Sequence, residues 1–236
     1  MRCIRAPTLS HAHEQVIKTI LERGWILRTE DGEDTVEAEG VAIRVEEPGR
    51  EPMISPSSRF QRKFMEKYAQ DLLNGSASVF EYDYHDRLFN WGEHLEKEGT
   101  PVHVNQIQYI VDKLRESPVS RRAIAITWNP ATDETLADCP CLQLVQCLIR
   151  EGKLHMKVVF RSNDMLTAAG ANMFALATLQ EYIAGQLGIP CGSYTHISLV
   201  PHIYFRRDIT DIEPFCGKGS KISPIPEVCR ACGKCP

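Results

Sequence analysis

The sequence predicts an α/β or α+β fold, in which a few helices pack against one large β-sheet. The chain has 236 residues, 43% of them hydrophobic, so it can bury a sizeable core. Strand-like segments follow one another through the second half, and no internal repeat or low-complexity stretch is present. The net charge of −4 gives no basic field, so nucleic acid is not expected as a main partner.

The first half of the chain is predicted to be largely helical. Apolar residues at helical spacing predict helices over 11–23, 59–73 and 104–116, and Pro118 ends the third. The second helix carries an apolar stripe, which consists of Phe60, Phe64, Tyr68 and Leu72. The acidic segment 28–35 predicts a mobile surface loop.

The second half is predicted to supply the sheet. Buried strands are expected over 123–128, 142–149, 154–161 and 194–205. Residues 150–153 predict a hairpin between the second and third of these strands. A long apolar helix is predicted over 165–187, with Gly188 as its C-cap.

The composition changes near the C-terminus, so we predict one catalytic domain over 1–215 and a Cys-rich tail over 216–236. No apolar run is long enough to span a bilayer, and the N-terminus lacks the apolar core of a secretory signal. We therefore expect a cytoplasmic protein with no membrane partner. Its nine cysteines are expected to be reduced thiols in that compartment.

The segment Asp138-Cys139-Pro140-Cys141, here called the Cys elbow, places a thiol where a turn leads into a strand. A free cysteine has a pKa of about 8.5, and nearby cations make it a better thiolate nucleophile. Arg161-Ser162 and Arg121-Arg122 supply guanidinium groups and a hydroxyl that suit a phosphate. These arginines are also expected to lower the pKa of Cys141. The alternative is that both elbow cysteines are small buried hydrophobes.

Asn172 stands in the otherwise apolar long helix. A buried amide must be hydrogen-bonded, and it offers one acceptor and a two-proton donor. That pair could contact the N3–H and O4 of uracil together. A helix N-cap or a satisfied core asparagine is the alternative interpretation.

In order and spacing, these motifs resemble the thymidylate synthase family, from about residue 28 to 204 and most closely from Ser120 onward. The match also includes the triplet His202-Ile203-Tyr204. The resemblance implies a large mixed sheet packed against helices, with one sheet face at a homodimer interface. It further implies reductive methylation of dUMP to dTMP, with methylene-tetrahydrofolate or methylene-tetrahydromethanopterin as co-substrate and no metal required.

The resemblance assigns roles on the nucleotide side. Cys141 is the nucleophile that adds to C6 of the pyrimidine. The phosphate contacts are Arg161, Ser162 and Arg28, together with Arg121 and Arg122, which reach into the partner subunit's site. The remaining substrate contacts are Gln146, Asp164 beside the pterin and uracil, Asn172 on uracil, and His202 and Tyr204 on the ribose.

The residues that would transfer protons are harder to assign. Tyr84 matches the tyrosine that helps remove the C5 proton. Glu66 is the candidate for the glutamate that organises water and protons, although an ungapped match puts Tyr68 there.

The sequence also departs from the family pattern. Leu142 follows the nucleophile where histidine is usual, Phe160 replaces a glutamine, and Val200-Pro201 replace Asp-Ala. The match is weaker where the family holds folate, so we hypothesise an archaeal-type enzyme with a methanopterin-like carbon donor.

The tail contains a group of closely spaced cysteines. Cys229, Cys232 and Cys235, with Cys216 as a possible fourth thiol, have spacing that suits zinc or an iron–sulfur cluster. The full pattern of paired Cys-x2-Cys arms is absent, so a reduced or disordered tail is the preferred prediction.

Three other functions compete with this prediction. A pyrimidine-nucleotide hydroxymethylase would share the thiolate addition, but its cytosine-directed members are expected to carry an acid in place of Asn172. An RNA-binding or regulatory relative is the second, and the acidic charge disfavours it. The third, a redox pair of Cys139 and Cys141, lacks the helix N-terminus that poises Cys-x-x-Cys thiols.

Overall fold

The computed structural model describes residues 1–76, 83–92, 95–97, 99–216 and 222–234. The N-terminal part forms β1 (Arg2–Ala6), α1 (Leu9–Arg23), β2 (Trp25–Arg28), β3 (Asp34–Glu37) and β4 (Val41–Val45). The middle part forms α2 (Arg62–Asn74), α3 (Tyr84–Phe89), β5 (Glu96–Lys97), β6 (Thr100–Pro101) and α4 (Gln106–Glu116). The C-terminal part forms β7 (Ile124–Ile126), β8 (Leu142–Arg150), β9 (Lys153–Phe160), β10 (Asn163–Asp164), α5 (Ala169–Leu187), β11 (Cys191–Ser198), β12 (Pro201–Ile203), α6 (Ile209–Cys216) and α7 (Pro226–Cys232).

The large sheet is mixed, as predicted. Within the described residues it has six strands in the order β1-β4-β11-β9-β8-β7. The pairs β1–β4 and β11–β9 are parallel, and the other neighbours are antiparallel. A second, smaller sheet has the order β10-β12-β3-β2, and the hairpin β5–β6 stands apart.

The two faces of the large sheet differ in burial. Residues of the inner face, such as Val145, Met156, Val158 and Tyr194, are fully buried. They are covered by α1, α4 and α5, and α5 is apolar around its whole circumference because α2 packs on its other side. The opposite face is only partly buried, and its Ile126 is 46% exposed.

Two predicted chain reversals are confirmed. Glu151 and Gly152 both have positive φ, at 52° and 70°, which is the conformation of a two-residue hairpin turn with the twist that antiparallel strands require. Gly188 has φ 68° and caps α5 in the left-handed conformation, as expected for a residue with no Cβ.

Several sequence predictions need correction. The predicted strand 194–205 is two strands in different sheets, since the chain leaves the large sheet at the exposed Leu199 and Val200. The long helix starts at Ala169 and not at Met165, because the Asp164 carboxylate accepts hydrogen bonds from the Leu166 and Thr167 amides and holds the preceding turn.

The described part of the tail packs on the domain. Val228 of α7 is 0% exposed, and the Ile225 amide donates to the Leu21 carbonyl at the end of α1, with an N–O distance of 2.8 Å. The division of the chain at 215/216 stays a prediction. None of the helices in the described ranges combines the length and apolarity needed to cross a bilayer.

Candidate active site

The Cys elbow ends where β8 begins. Arg161, the residue after β9, holds the elbow in place. The Arg161 amide donates to the Cys141 carbonyl at 2.8 Å, so the two residues are neighbours across the strand ends. The Cys141 side chain is partly buried and packs against the hydrophobic core. A thiol at the start of a strand beside an arginine is therefore a feature of the fold.

The Arg161 side chain also stabilises the backbone of the Cys elbow. Its Nε donates to the Pro140 carbonyl at 3.0 Å and its Nη2 to the Cys139 carbonyl at 2.7 Å. The planar guanidinium can serve both carbonyls at once because its donors form a rigid fork. Arg161 was predicted to bind phosphate and to lower the pKa of Cys141, and its contact with the elbow backbone was not predicted.

The pKa of the Cys141 thiol depends on burial and on nearby charges. Burial raises it above its ordinary value, and the nearby charges of Asp138 and Cys139 raise it further. Arg161 lowers the pKa, as expected. The net shift is upward, because desolvation outweighs the guanidinium.

Tyr84 lies against the elbow. Its hydroxyl oxygen accepts hydrogen bonds from the Cys141 amide at 3.1 Å and the Leu142 amide at 2.8 Å. Tyr84 begins α3, where Asp83 caps the helix by accepting from the His85 amide. A phenol hydroxyl is thus fixed beside the nucleophile by backbone contacts.

The small sheet brings the acid and the ribose-contact candidates together. Asp164 and His202 are partners in the parallel pair β10–β12, and the Met165 amide donates to the His202 carbonyl at 2.8 Å. The Ser162 hydroxyl lies 3.3 Å from His202 Nδ1. These candidates are therefore within one small segment of the surface, next to the elbow.

Tyr204 lies close to this group and couples to it electrostatically. Burial raises the pKa of Tyr204, Arg207 opposes that shift, and Asp164, Asp31 and Cys141 add to it. The interaction with Asp31 brings the β2–β3 connection, which follows Arg28, into electrostatic range of the site.

Arg207 is a site residue that the sequence analysis missed. Its guanidinium carbon lies 3.9 Å from the centre of the Tyr204 ring, and its Nη2 donates to the Asp164 carboxylate at 2.9 Å. The Arg206-Arg207-Asp208 run, one residue after the His-Ile-Tyr triplet, is the signal that could have indicated it.

Asn172 lies in the first turn of α5 and faces α2. Its Oδ1 accepts a hydrogen bond from the Tyr68 hydroxyl at 3.0 Å. It does not cap the helix, since its own amide donates to the Ala168 carbonyl within the helical pattern. The amide is therefore held by a phenol from a neighbouring helix.

Other predicted residues are not brought into this cluster. Glu66 faces solvent with a 57% exposed side chain and pairs with Arg62 at 3.7 Å. Arg121 and Arg122 are exposed before β7, and Gln146 uses its Nε2 to hold the Arg121 carbonyl at 3.0 Å. Arg28 is exposed at the end of β2.

Two of the residues that depart from the family pattern are buried in the core. Phe160 is 1% exposed and stacks on His196 inside the core, with ring centroids 4.6 Å apart. Leu142 is likewise buried, and Val200 contributes its carbonyl to His202 Nδ1 at 3.2 Å. The side chains that replace Gln and His thus belong to the core.

The tail cysteines differ in burial and in their contacts. Cys216 and Cys232 are buried, and the Cys229 thiol donates to the Pro224 carbonyl at 3.4 Å. Cys235 lies outside the described residues. In the part of the chain that the structure describes, no three His, Cys, Asp or Glu side chains come close enough to hold a metal ion.

Comparison with known proteins gives one consistent result. The family model described as thymidylate synthase matches residues 76–221. A relative from Methanocaldococcus jannaschii is 42% identical over 91% of this chain and 96% of its own length. Relatives from Methanosarcina acetivorans and Methanothermobacter thermautotrophicus are 36% and 27% identical, over 86% and 85% of this chain and 89% and 92% of their own lengths.

All three relatives carry the name "Putative thymidylate synthase" and come from methanogens. The match covers the Cys elbow, β9, the first turn of α5, and strands β10 and β12 of the small sheet, so it includes most of the elements that build the cluster described above. The chain is thus a divergent, archaeal-type member of the thymidylate synthase family.

Proposed function

We propose that the protein is a thymidylate synthase that converts dUMP to dTMP by reductive methylation in the cytoplasm. The observation that carries the proposal is the position of Cys141. Its backbone is fixed by the Arg161 amide on one side and by the Tyr84 hydroxyl on the other. A thiol fixed in this way can attack a pyrimidine ring that enters beside it.

The phosphate of dUMP would be held by cationic and hydroxyl groups at the elbow. Arg161 and Ser162 lie at the end of β9, next to Cys141, and Arg28 precedes the β2–β3 connection. His202 and Tyr204 would contact the ribose between the phosphate and the base. This order along the surface suits a nucleotide whose base lies over the thiol.

The base would be recognised by Asn172 and attacked by Cys141. Addition of the thiolate to C6 makes C5 a carbon nucleophile, and expulsion of the thiolate at the end restores the ring. Tyr84 would help to remove the C5 proton by orienting a water molecule that accepts it, and the position of its hydroxyl at the elbow supports this role. Asp164 would lie beside the pterin and the uracil.

The co-substrate supplies one carbon and a hydride, and it is a methylene-tetrahydropterin. The family resemblance assigns Asp164 to the amino and imino groups of the pterin, which would join the Leu166 and Thr167 amides and Arg207 as donors to its carboxylate. The weak match in the folate-binding region and the methanogen relatives favour methylene-tetrahydromethanopterin.

We further propose a homodimer formed by the open face of the large sheet. Arg121 and Arg122 are exposed at the edge of this face, with Ile126 on it. In a dimer they would complete the phosphate site of the partner subunit. An isologous interface of this kind places two identical sites in each assembly.

The dimer proposal can be tested by mixing two inactive variants. One carries Cys141→Ser and the other Arg121→Ala with Arg122→Ala. If the arginines act across the interface, subunit exchange creates one intact site in each heterodimer, and about a quarter of wild-type activity returns. If the arginines act within their own subunit, mixing restores nothing.

The activity is tested by incubating the protein with dUMP and each of the two carriers, and measuring dTMP. Fluoro-dUMP should form a covalent adduct on the Cys141 peptide in wild type and none in Cys141→Ser. A 5-hydroxymethyl product in place of dTMP would identify a hydroxymethylase. Equal or better turnover with the folate carrier contradicts the methanopterin preference.

A further inference from the structure

Gln143 is the extra residue of a β-bulge near the start of β8. Leu142 pairs with Phe160 in β9. Leu144 pairs with Val159, so two steps along β8 match a single step along β9. Bulges of this kind redirect side chains and are frequent next to active sites.

The Gln143 side chain reaches back to the Cys elbow. Its Nε2 donates to the Pro140 carbonyl at 2.6 Å and lies 3.3 Å from the Leu142 carbonyl oxygen. Both partners are backbone carbonyls, which only accept hydrogen bonds, so the end of the amide that faces them is the NH2 group. The donor and the acceptor in this contact are therefore unambiguous.

The Pro140 carbonyl and the Cys141 amide belong to one peptide unit, which is held at both ends. Gln143 Nε2 and Arg161 Nε donate to its oxygen, at 2.6 and 3.0 Å. The Tyr84 hydroxyl accepts from its N–H at 3.1 Å. Because a peptide unit is planar, contacts at its two ends fix its rotation about the line that joins the flanking Cα atoms. That rotation sets the direction in which the Cys141 side chain leaves the backbone.

The two donors to the Pro140 oxygen differ in their other tasks. Arg161 also belongs to the proposed phosphate site, so a bound phosphate competes with the elbow for its donors. Gln143 avoids that competition, because its Nε2 donates to backbone carbonyls. It therefore keeps the peptide unit in place while the nucleotide binds.

We propose that Gln143 is a positioning residue, which directs the Cys141 thiol towards C6 of the pyrimidine by fixing the peptide unit before it. The inference rests on the proposed function, since it needs Cys141 as the nucleophile. It predicts an effect on the rate of the covalent step rather than on the affinity for the nucleotide, because Gln143 acts through the backbone of the elbow.

The test is Gln143→Met, which keeps the length of the side chain and removes its donor. The rate constant of adduct formation at Cys141 is measured with saturating fluoro-dUMP and the methylene carrier, and dUMP affinity by calorimetric titration of the full chain. We expect the rate constant to fall about tenfold, since a small displacement of a nucleophile is costly, while the dissociation constant of dUMP changes by less than about twofold. A purely structural role would lower the final amount of adduct and leave the rate constant unchanged.

Gln143→Glu gives a second test, in which acid can restore the donor. An ionised carboxylate cannot donate to the Pro140 carbonyl, whereas a protonated carboxyl group carries one O–H donor. We expect the rate constant, relative to wild type at the same pH, to rise as the pH is lowered from about 8 to about 5. A constant ratio across that range would contradict the positioning role.

Gln108→Met is the matched control. Gln108 is exposed on α4, and its Nε2 donates to the Asp112 carboxylate at 2.8 Å, away from the Cys elbow. Its rate constant should equal that of wild type. An equal loss in Gln108→Met and Gln143→Met would overturn the inference.

The outcomes separate this inference from the proposed function. If wild type forms the adduct and Gln143→Met forms it at the same rate, the role of Gln143 is overturned and the proposed function stands. If wild type forms no adduct, the proposed function is overturned and this inference falls with it. A slower rate at unchanged dUMP affinity, with recovery of Gln143→Glu in acid, supports both.

Discussion

Arg161 supports the nucleophile through the backbone of the Cys elbow. Its side chain donates to two consecutive carbonyls of the elbow, and its backbone amide donates to a third. A lysine would not reproduce both side-chain contacts in the same geometry, because its donors share one nitrogen at the end of a flexible chain. The shape of the elbow therefore depends on a guanidinium.

We predict that Arg161→Lys lowers kcat/KM for dUMP by about 10- to 100-fold, since a small displacement of a nucleophile is costly. The rate of fluoro-dUMP adduct formation at Cys141 should fall in parallel. Arg150→Lys is the matched control, because Arg150 is exposed at the far end of β8 and its side chain donates to the neighbouring Ile149 carbonyl, away from the Cys elbow. Equal losses in the two variants would contradict the bracing role.

The raised pKa of Cys141 gives a pH dependence with a definite sign. The thiolate is the reactive form and is populated above the pKa, so a raised pKa makes the free protein slow to react at neutral pH. We expect alkylation of the Cys141 peptide by iodoacetamide to accelerate about tenfold per pH unit from pH 7 to beyond the ordinary thiol pKa of about 8.5. A plateau below pH 8 would contradict it. Fragment-ion mass spectrometry assigns the label to Cys141, because the tryptic peptide 123–150 also contains Cys139 and Cys147.

Residues that share a short motif could be identified from sequence, and residues that meet only in the fold could not. The Cys elbow and Arg161-Ser162 stand in recognisable runs. Arg207 reaches Asp164 because β12 pairs with β10, and Tyr68 reaches Asn172 because α2 packs on α5. Neither pairing leaves a signal in the spacing of the residues involved.

The segment after β12 contributes a chain of ion pairs that ends at the site. Asp164 pairs with Arg207, Arg207 with Asp208, and Asp208 with Arg59, which also contacts Asp211. Asp208 is 3% exposed and Asp164 only 11% exposed in its side chain. Alternating charges of this kind keep two poorly solvated carboxylates compensated.

We predict that Arg207→Met lowers the free energy of unfolding by about 1–2 kcal/mol, since it leaves Asp164 and Asp208 without one of their cations. The estimate is kept small because Arg207 is itself 44% exposed. Arg206→Met is the control, for its pair with Asp34 lies at the surface and should be worth less than about 1 kcal/mol. Urea unfolding of both variants measures the difference, and equal values would contradict the prediction.

Helices and strands with strong periodicity were predicted well, and short ones were not. The predicted helices 59–73 and 104–116 and the hairpin of 142–149 and 154–161 correspond to α2, α4, β8 and β9. Strands β1 to β4 were missed because they are only four or five residues long, and exposed charged residues such as Arg5 and Arg44 alternate with the buried ones. Their strand character depends on pairing partners that lie far along the chain.

The core of the molecule contains a buried histidine that resists protonation. His196 is 0% exposed, stacks on Phe160 and bonds to the Tyr194 hydroxyl through Nδ1 at 3.0 Å. Burial lowers its pKa to about 3, and the neighbouring His13 contributes in the same direction. His13 is also buried, with its own pKa lowered mainly by desolvation. The folded protein therefore keeps these imidazoles neutral.

This arrangement predicts a loss of stability in mild acid. Below the unfolded-state pKa of about 6.5, these histidines bind protons in the unfolded chain but not in the folded chain. The free energy of unfolding therefore falls as the pH falls. His196→Gln should reduce that slope by up to about 1.4 kcal/mol per pH unit between pH 6 and 4. His103→Gln, which removes an exposed imidazole, is the control. An unchanged slope in His196→Gln would contradict the prediction.

The contact between α7 and α1 constrains how the protein is made. The Leu21 carbonyl near the end of α1 accepts its hydrogen bond from the Ile225 amide, which is translated far later than α1. At synthesis rates of about 5–20 residues per second, the interval is on the order of 10–40 s. During that time this end of α1 lacks its final contact, so the helix completes its packing only after the intervening segment has been made.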